Sequence, residues 1–237
     1  MKLLDLSLKL PEENLALDEA LLDACEEGGE EVLRFWESET VFAVVGYSNK
    51  VTEEMNLVAC KQNNVGIFRR SSGGGTVLQG PGCLNYSLIL HTQSPGLESV
   101  TGTNQFIMAR LRTELAKKLH KPVTIEGHTD LAIEGLKFSG NAQRRKKTGI
   151  LFHGTFLLNF DFEKIEALLQ PPPRQPEYRQ NRSHRYFVMN LKEDAGTIKA
   201  IVSTAWKADK PLAAIPREMM RRLIEEKYSK DEWNFKF

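Results

Sequence analysis

Apolar positions in PEENLALDEALLDACEEGG (residues 11–29) place Leu17, Leu21 and Ala24 on one face, and Gly28-Gly29 closes the run. This pattern predicts a helix. EVLRFWES and TVFAVVGYS are dense in β-branched and aromatic residues and predict two strands paired with each other. In residues 103–120, Ile107, Leu111, Leu115 and Leu119 return every four positions, the mark of a second helix. DLAIEGLKFSG predicts two strands about a tight Glu134-Gly135 turn, with glycine at the second turn position. KKTGILFHGTFLLNF predicts a returning strand after a loop at 146–149, and DFEKIEALLQ a short helix. PPPRQPEYRQNRSHRY is expected to be loop, because proline lacks the amide donor and clashes within a helix. GTIKAIVSTAW and PREMMRRLIEEKYS predict two further helices. Strands and helices mix without strict alternation, so the expected class is α+β rather than a doubly wound sheet. With no internal repeat or low-complexity linker, residues 1–237 are expected to form a single domain.

Composition narrows the classes. Formal net charge is +1, which gives no global pull toward nucleic acid or acidic membrane. No apolar run approaches the ~18–20 residues a membrane span requires, and the first residues, MKLLDLSLKLPEEN, do not read as a secretory signal. Three widely spaced cysteines, Cys25, Cys60 and Cys83, suit neither a disulfide framework nor a metal site. A cytoplasmic monomer is the expectation.

Candidate chemistry begins at RRSSGGGTVLQGPG, where three consecutive glycines stand before a strand. Glycine loses more backbone freedom on folding than any other residue, so something must offset that cost. Either the loop is a tight turn with solvated arginines, or bare backbone amides converge there on phosphate oxygens. It is not a P-loop, since no Lys-Ser/Thr pair closes it, and the spacing and following strand do not fit a dinucleotide fingerprint. A second constellation places Lys137 on a strand just before Ser139-Gly140, with His153-Gly154 on the returning strand. Taken singly, Lys137 reads as a solvated lysine or a ligand contact, and His153 as a packed histidine or a base. RRKK at 144–147 reads as a solvated hairpin tip or a dock for an acidic partner.

Together, RRSSGGGTVLQGPGCLNYSLI, GHTDLAIEGLKFSGNA and HGTFLLN resemble the lipoate-protein ligases, within the biotin/lipoate ligase and octanoyltransferase superfamily. The resemblance covers residues 35–159. It implies a mixed, mainly antiparallel sheet flanked by helices. It also implies a two-step reaction: lipoate and ATP, with Mg2+, give lipoyl-AMP, and the lipoyl group then moves to a lysine of an acceptor. The implied acceptors are apo lipoyl domains of 2-oxoacid dehydrogenases or the glycine cleavage H protein. By this resemblance Lys137 is the catalytic lysine at the acyl-adenylate. Arg70, Ser72, Gly73, Gly74, Gly75, Thr76, Val77 and Leu78 lie along the adenylate, with strand backbone reading adenine. Asn85, Thr129, Asp130, Ser139, Gly140, His153 and Gly154 complete the adenylate and lipoate site, no metal ligands are implied, and an apolar tunnel takes the acyl chain.

The sequence departs from the family pattern at Gln79, where many relatives carry histidine, and at Thr129, where they carry asparagine. Two-domain ligases continue into a small closing domain, and some relatives without it use a separate accessory protein. One alternative is an octanoyl- or lipoyltransferase using a carrier protein and a cysteine thioester. The superfamily's nucleophile positions hold no cysteine here, and Cys83 is expected to be a small buried residue. The other alternative is a non-catalytic protein that binds lipoyl domains.

Overall fold

The computed structural model describes residues 1–173 and 175–237. Strand β1 (Lys2–Asp5) leads into helix α1 (Pro11–Glu26). Pro11 sits in the first turn of α1, where its missing amide is not needed, and the Glu13 carboxylate accepts from Leu10 N at 2.9 Å. The helix stops where Gly28 takes φ +91° and Gly29 N reaches back to Ala24 O. Its apolar face, Leu17, Leu21, Leu22 and Cys25, packs on Val32, Ile89 and Leu151 of the sheet.

Strands β2 (Val32–Trp36) and β3 (Phe42–Val45) follow, then the short helices α2 (Val51–Glu54) and α3 (Leu57–Gln62). Next come β4 (Gly66–Arg69), β5 (Val77–Gln79), β6 (Cys83–His91) and the long helix α4 (Val100–Leu119). β7 (Val123–Glu126), β8 (Asp130–Ile133), β9 (Leu136–Arg145) and β10 (Gly149–Leu157) form successive hairpins. The last third holds α5 (Phe162–Leu168), α6 (His184–Phe187), α7 (Ala195–Trp206), β11 (Lys210–Pro211), α8 (Arg217–Leu223) and α9 (Asp231–Asn234).

Eight strands form one sheet in the order β11-β1-β2-β6-β10-β9-β8-β7, and three form a second, β4-β3-β5. The large sheet is antiparallel except where β1 meets β2 and β11. One face packs Leu33, Tyr86, Leu88, Phe152 and Phe156 against Ile107, Leu111 and Leu115 of α4 and Ile198 and Val202 of α7. The opposite face takes α1, and the small sheet folds against the chain with Cys83, Phe160 and Ile165. The fold is α+β with a mainly antiparallel sheet flanked by helices. No helix among the described residues is long and apolar enough to cross a membrane.

Two expectations change. β2 and β3 do not pair: β2 lies between β1 and β6, and β3 between β4 and β5. Every residue of both strands is buried, Arg34 included, and a short run buried on both faces carries no mark of which neighbour it will choose. Past its prolines, the expected loop at 171–186 tightens into a 3₁₀ turn at Glu177–Arg179 and then α6. Proline restricts its own and the preceding residue, so it does not bar helix several positions on.

Candidate active site

The glycine loop is held from beneath by its own arginine. Arg70 is buried, and its Nε donates to Ser72 Oγ and Gly73 O at 3.1 Å each. Nη2 donates to Gly73 O at 2.6 Å and Gly75 O at 2.8 Å, and Nη1 to Val44 O at 3.2 Å. Burial pushes the guanidinium pKa down to about 10, with Glu54 opposing. Asn49 Nδ2 takes the remaining glycine carbonyl, Gly74 O, at 3.0 Å. All three carbonyls are therefore tied inward, while the amides of Gly73, Gly74 and Gly75 have no partner among the described residues. Exposed amides presented together make a seat for an anion. Gly74 requires glycine at φ +90°, and Gly46 beneath it is equally constrained: a Cβ there would lie 2.0 Å from Gly74 O.

Arg69 is fully buried and faces away from the loop. Its guanidinium donates to the carbonyls of Gly46, Tyr47, Asn49, Trp233 and Asn234 at 2.8–3.1 Å, joining the chain's last residues to the turn that supports Gly74. Glu54 accepts from Asn49 Nδ2 and Thr76 N, closing the loop's far end.

Lys137 reaches this side of the sheet through a bulge. Leu131 pairs with Ser139 and Ala132 with Lys137, so Phe138 is the extra residue. In a regular strand, residues three apart point to opposite faces; the bulge brings Lys137 and Gly140 to the same face. A Cβ on Gly140 would meet Lys137 Nζ at 2.6 Å, so the bare glycine lets the side chain lie across the strand. Nζ pairs with Asp130 Oδ1 at 2.8 Å, and Tyr178 OH donates to Asp130 Oδ2 at 2.6 Å. Two residues beyond Gly140, Ala142 lies under the position a Gly74 Cβ would take, at 3.6 Å, which sets the glycine loop beside Lys137.

His153 stands on the same face. Its Nε2 is 2.6 Å from Ser72 Oγ, and its Nδ1 is 4.0 Å from Asp18 Oδ2. Asp18 is buried, ion-paired with Arg34 Nη1 at 2.6 Å and bonded by Ser87 Oγ at 2.7 Å. Burial pushes the His153 pKa down to about 4; Asp18 opposes this and Arg70 adds to it, leaving a neutral ring at neutral pH.

The other candidates fall into two groups. Asn85 joins Gln79 and Thr155 in a closed ring of hydrogen bonds, Asn85 Nδ2 to Gln79 Oε1, Gln79 Nε2 to Thr155 Oγ1 and Thr155 Oγ1 to Asn85 Oδ1, at 2.6–2.9 Å. Gln79 thus serves Asn85 rather than the loop. Thr129, Ser139 and Gly154 meet Asn141 on the α4 side of the sheet. Asn141 Nδ2 donates to Thr129 O, its Oδ1 accepts from Tyr86 OH, and a Cβ on Gly154 would strike that Oδ1 at 1.7 Å. Thr76 and Val77 lead to Leu78 in β5, an outer strand of the small sheet with one free edge. The RRKK tip is only partly solvated: Arg145 donates to Glu98 O, Lys146 pairs with Asp23, and Arg144 lies over Tyr47.

Gly46, Asn49, Glu54, Asn141 and Tyr178 were not legible as site residues; GYSN after a strand was the one local hint, a turn signal at Gly46. A groove of about 610 Å³ beside β4, lined by Leu57, Cys60, Ile67, Phe68 and Phe235, contains none of the glycine loop, Lys137 or His153.

The mixed sheet thus sets three backbone amides with no partner among the described residues on the same side as a lysine paired with Asp130. The chain matches the family Lipoyl protein ligase A/B catalytic domain over residues 10–205 and belongs to it. It is 31% identical to an octanoyltransferase LipM of Lysinibacillus sphaericus over 95% of both chains. It is 32% identical to a probable lipoate-protein ligase A of Mycoplasma pneumoniae, over 78% of this chain and 53% of that one. Its fold superposes with TM-score 0.84 on a bipartite lipoate-protein ligase of Thermoplasma acidophilum, at 24% identity, covering 99% of this chain and 96% of that one. A lipoate-protein ligase A bound with ATP gives the same score at 22% identity and 99% coverage of both chains. Family membership places the protein among the enzymes of lipoyl and octanoyl transfer.

Proposed function

We propose that this chain is an ATP-dependent lipoate-protein ligase, acting as one catalytic domain. It would join lipoate and ATP into lipoyl-AMP and pass the lipoyl group to a lysine of an apo lipoyl domain or a glycine cleavage H protein. The observation that carries the reading is the make-up of the site: three backbone amides without a partner among the described residues and a lysine, with all three cysteines buried elsewhere. Adenylation brings a carboxylate against a triphosphate, so the first requirement is positive charge and fixed donors. A carboxylate oxygen bonds to the α-phosphorus while the bond to the bridging oxygen breaks and its electron pair leaves with pyrophosphate. In this reading the Gly73–Gly75 amides seat a phosphate and Lys137 lies at the acyl-phosphate junction. Arg70 holds the amides in place, and the free edge of β5 offers backbone groups to adenine. In the second step the acceptor amine attacks the acyl carbonyl, loses a proton, and AMP departs. Magnesium enters as Mg-ATP; among the described residues no three His, Cys, Asp or Glu side chains gather to hold it.

A second reading, octanoyl transfer from a carrier protein, is favoured by the identity to LipM across nearly the whole of both chains. A thioester route needs an accessible thiolate. Cys25, Cys60 and Cys83 are each at most 2% exposed, and burial pushes every thiol up, Cys25 to about 11. The test incubates an apo lipoyl domain with the protein and either lipoate plus Mg-ATP or an octanoyl-carrier protein, and weighs the domain. Lipoylation dependent on ATP is expected, and its dependence on an added accessory protein is read in the same assay. Modification only from the carrier, with an acyl-cysteine trapped on the enzyme, would overturn the ligase reading.

A further inference from the structure

Strands β3 and β4 run parallel and end side by side, with Val45 opposite Arg69. Past them the chain makes a turn at 46–49 after β3 and the glycine loop after β4. The turn carries the loop. Tyr47 N donates to Ser72 O at 2.9 Å, Asn49 Nδ2 donates to Gly74 O at 3.0 Å, and the bare backbone of Gly46 lies directly under Gly74. The loop amides are therefore no better fixed than the turn beneath them.

The turn is closed in its own sequence by the backbone bond from Asn49 N to Gly46 O, at 3.1 Å. Its other tie comes from far along the chain. The carbonyls of Gly46, Tyr47 and Asn49 converge on Arg69 Nη1 at 2.8–3.0 Å. The same guanidinium reaches α9, where Nε donates to Trp233 O at 3.0 Å and Nη2 to Asn234 O at 3.1 Å. In return α9 holds the backbone of Arg69: Trp233 Nε1 donates to Arg69 O at 2.8 Å, and Asn234 Oδ1 accepts from Arg69 N at 3.0 Å. Asn234 Nδ2 donates to Tyr228 O at 3.1 Å, which fixes the orientation of that amide.

Arg69 is fully buried, and no carboxylate lies within 4.0 Å of it among the described residues. A buried charge compensated by carbonyl dipoles needs every acceptor in place, because releasing one leaves a charged donor unpaired away from water. Docking of α9 and closure of the turn are thereby coupled through one side chain.

We propose that Trp233 and Asn234 are positioning residues for the glycine loop. Through Arg69 they hold the turn at 46–49, and the turn holds the Gly73–Gly75 amides in the arrangement that an anion meets. With α9 loosened, those amides must be ordered as the anion binds, and the ordering cost appears as lost affinity. That the anion is a phosphate of ATP rests on the ligase reading; the coupling itself does not.

The test uses the full-length protein with three substitutions. Trp233→Phe keeps a ring but removes the donor to Arg69 O, and Asn234→Ala removes the acceptor for Arg69 N. Val202→Ala, a core truncation on the α7 side of the sheet, is the stability control. Backbone 15N relaxation of Gly73, Gly74 and Gly75 is read first, without ligand. All three variants should melt earlier than wild type, but the glycine amides should gain mobility only in the two α9 variants. Calorimetric titration of Mg-ATP should show affinity weakened about fivefold in Trp233→Phe and about tenfold in Asn234→Ala, with the control within about twofold of wild type. In pyrophosphate exchange the loss should fall on KM for ATP and spare KM for lipoate. Glycine amides as rigid as wild type in both α9 variants, or losses no larger than those of the control at equal Tm, would overturn the assignment. Mobile amides in the α9 variants of a protein that neither binds Mg-ATP nor makes adenylate would defeat the ligase reading while sustaining the coupling.

Discussion

Replacing Gly46 by alanine tests whether the glycine loop's position matters to chemistry, because Gly46 contacts no ligand in the reading above. Its added Cβ would fall 2.0 Å from Gly74 O, a backbone atom that cannot rotate away. Separation to ordinary contact requires a shift of more than about 1 Å, since Cβ contacts under 3.0 Å are essentially never found. The shift breaks the Asn49 Nδ2–Gly74 O bond and strains the clamp that Arg70 makes on Gly73 and Gly75. One lost hydrogen bond plus local strain amounts to about 1–3 kcal/mol. For a chain of this size that lowers Tm by roughly 2–12 °C, leaving a folded protein at 25 °C. Catalysis should suffer more, because a displacement of about 1 Å at a positioning element can lose a hundredfold in rate. Gly73→Ala is the control: a Cβ there meets nothing within 4 Å. The assay is lipoate-dependent ATP–pyrophosphate exchange alongside thermal denaturation. Gly46→Ala should fall about a hundredfold and Gly73→Ala keep its melting temperature. Exchange within threefold of wild type in a Gly46→Ala protein of lowered Tm would refute the idea that these amides seat the nucleotide.

Lys137→Ala should lose about two to three orders of magnitude in exchange while its circular dichroism stays native, since Tyr178 still holds Asp130; near-normal exchange would remove the lysine from the mechanism. Replacing Cys25, Cys60 and Cys83 together by alanine should destabilise the protein by about 1 kcal/mol per buried site yet leave ligation largely intact, as a mass-spectrometric ligation assay will show. His153 titrates near 4 when folded against about 6.5 when unfolded, so the unfolded chain binds the extra proton between those values. Its contribution to stability is complete above pH 6.5 and is lost as pH falls toward 4. Wild-type Tm should therefore drop more steeply than that of His153→Gln between pH 7 and 4.5, and parallel curves would contradict a buried neutral histidine.

The sequence alone determined what local chemistry controls. Four-residue spacing of Ile107, Leu111, Leu115 and Leu119 marked α4, and Glu134-Gly135 marked the hairpin, where the backbone takes φ 51° and 74°. Three motifs in order also carried the family. Tertiary structure decided the rest, because contacts between distant segments leave no local period. It separated β2 from β3, inserted Phe138 so that Lys137 and Gly140 share a face, and turned Arg70 inward as the clamp of its own loop. Gly46 and Gly74, 28 positions apart in sequence, touch through bare backbone, and Ser72 meets His153 across 81 residues. A single residue added to a strand reverses which face every later side chain takes, and no pattern of apolar and polar residues within β9 announces where that addition falls.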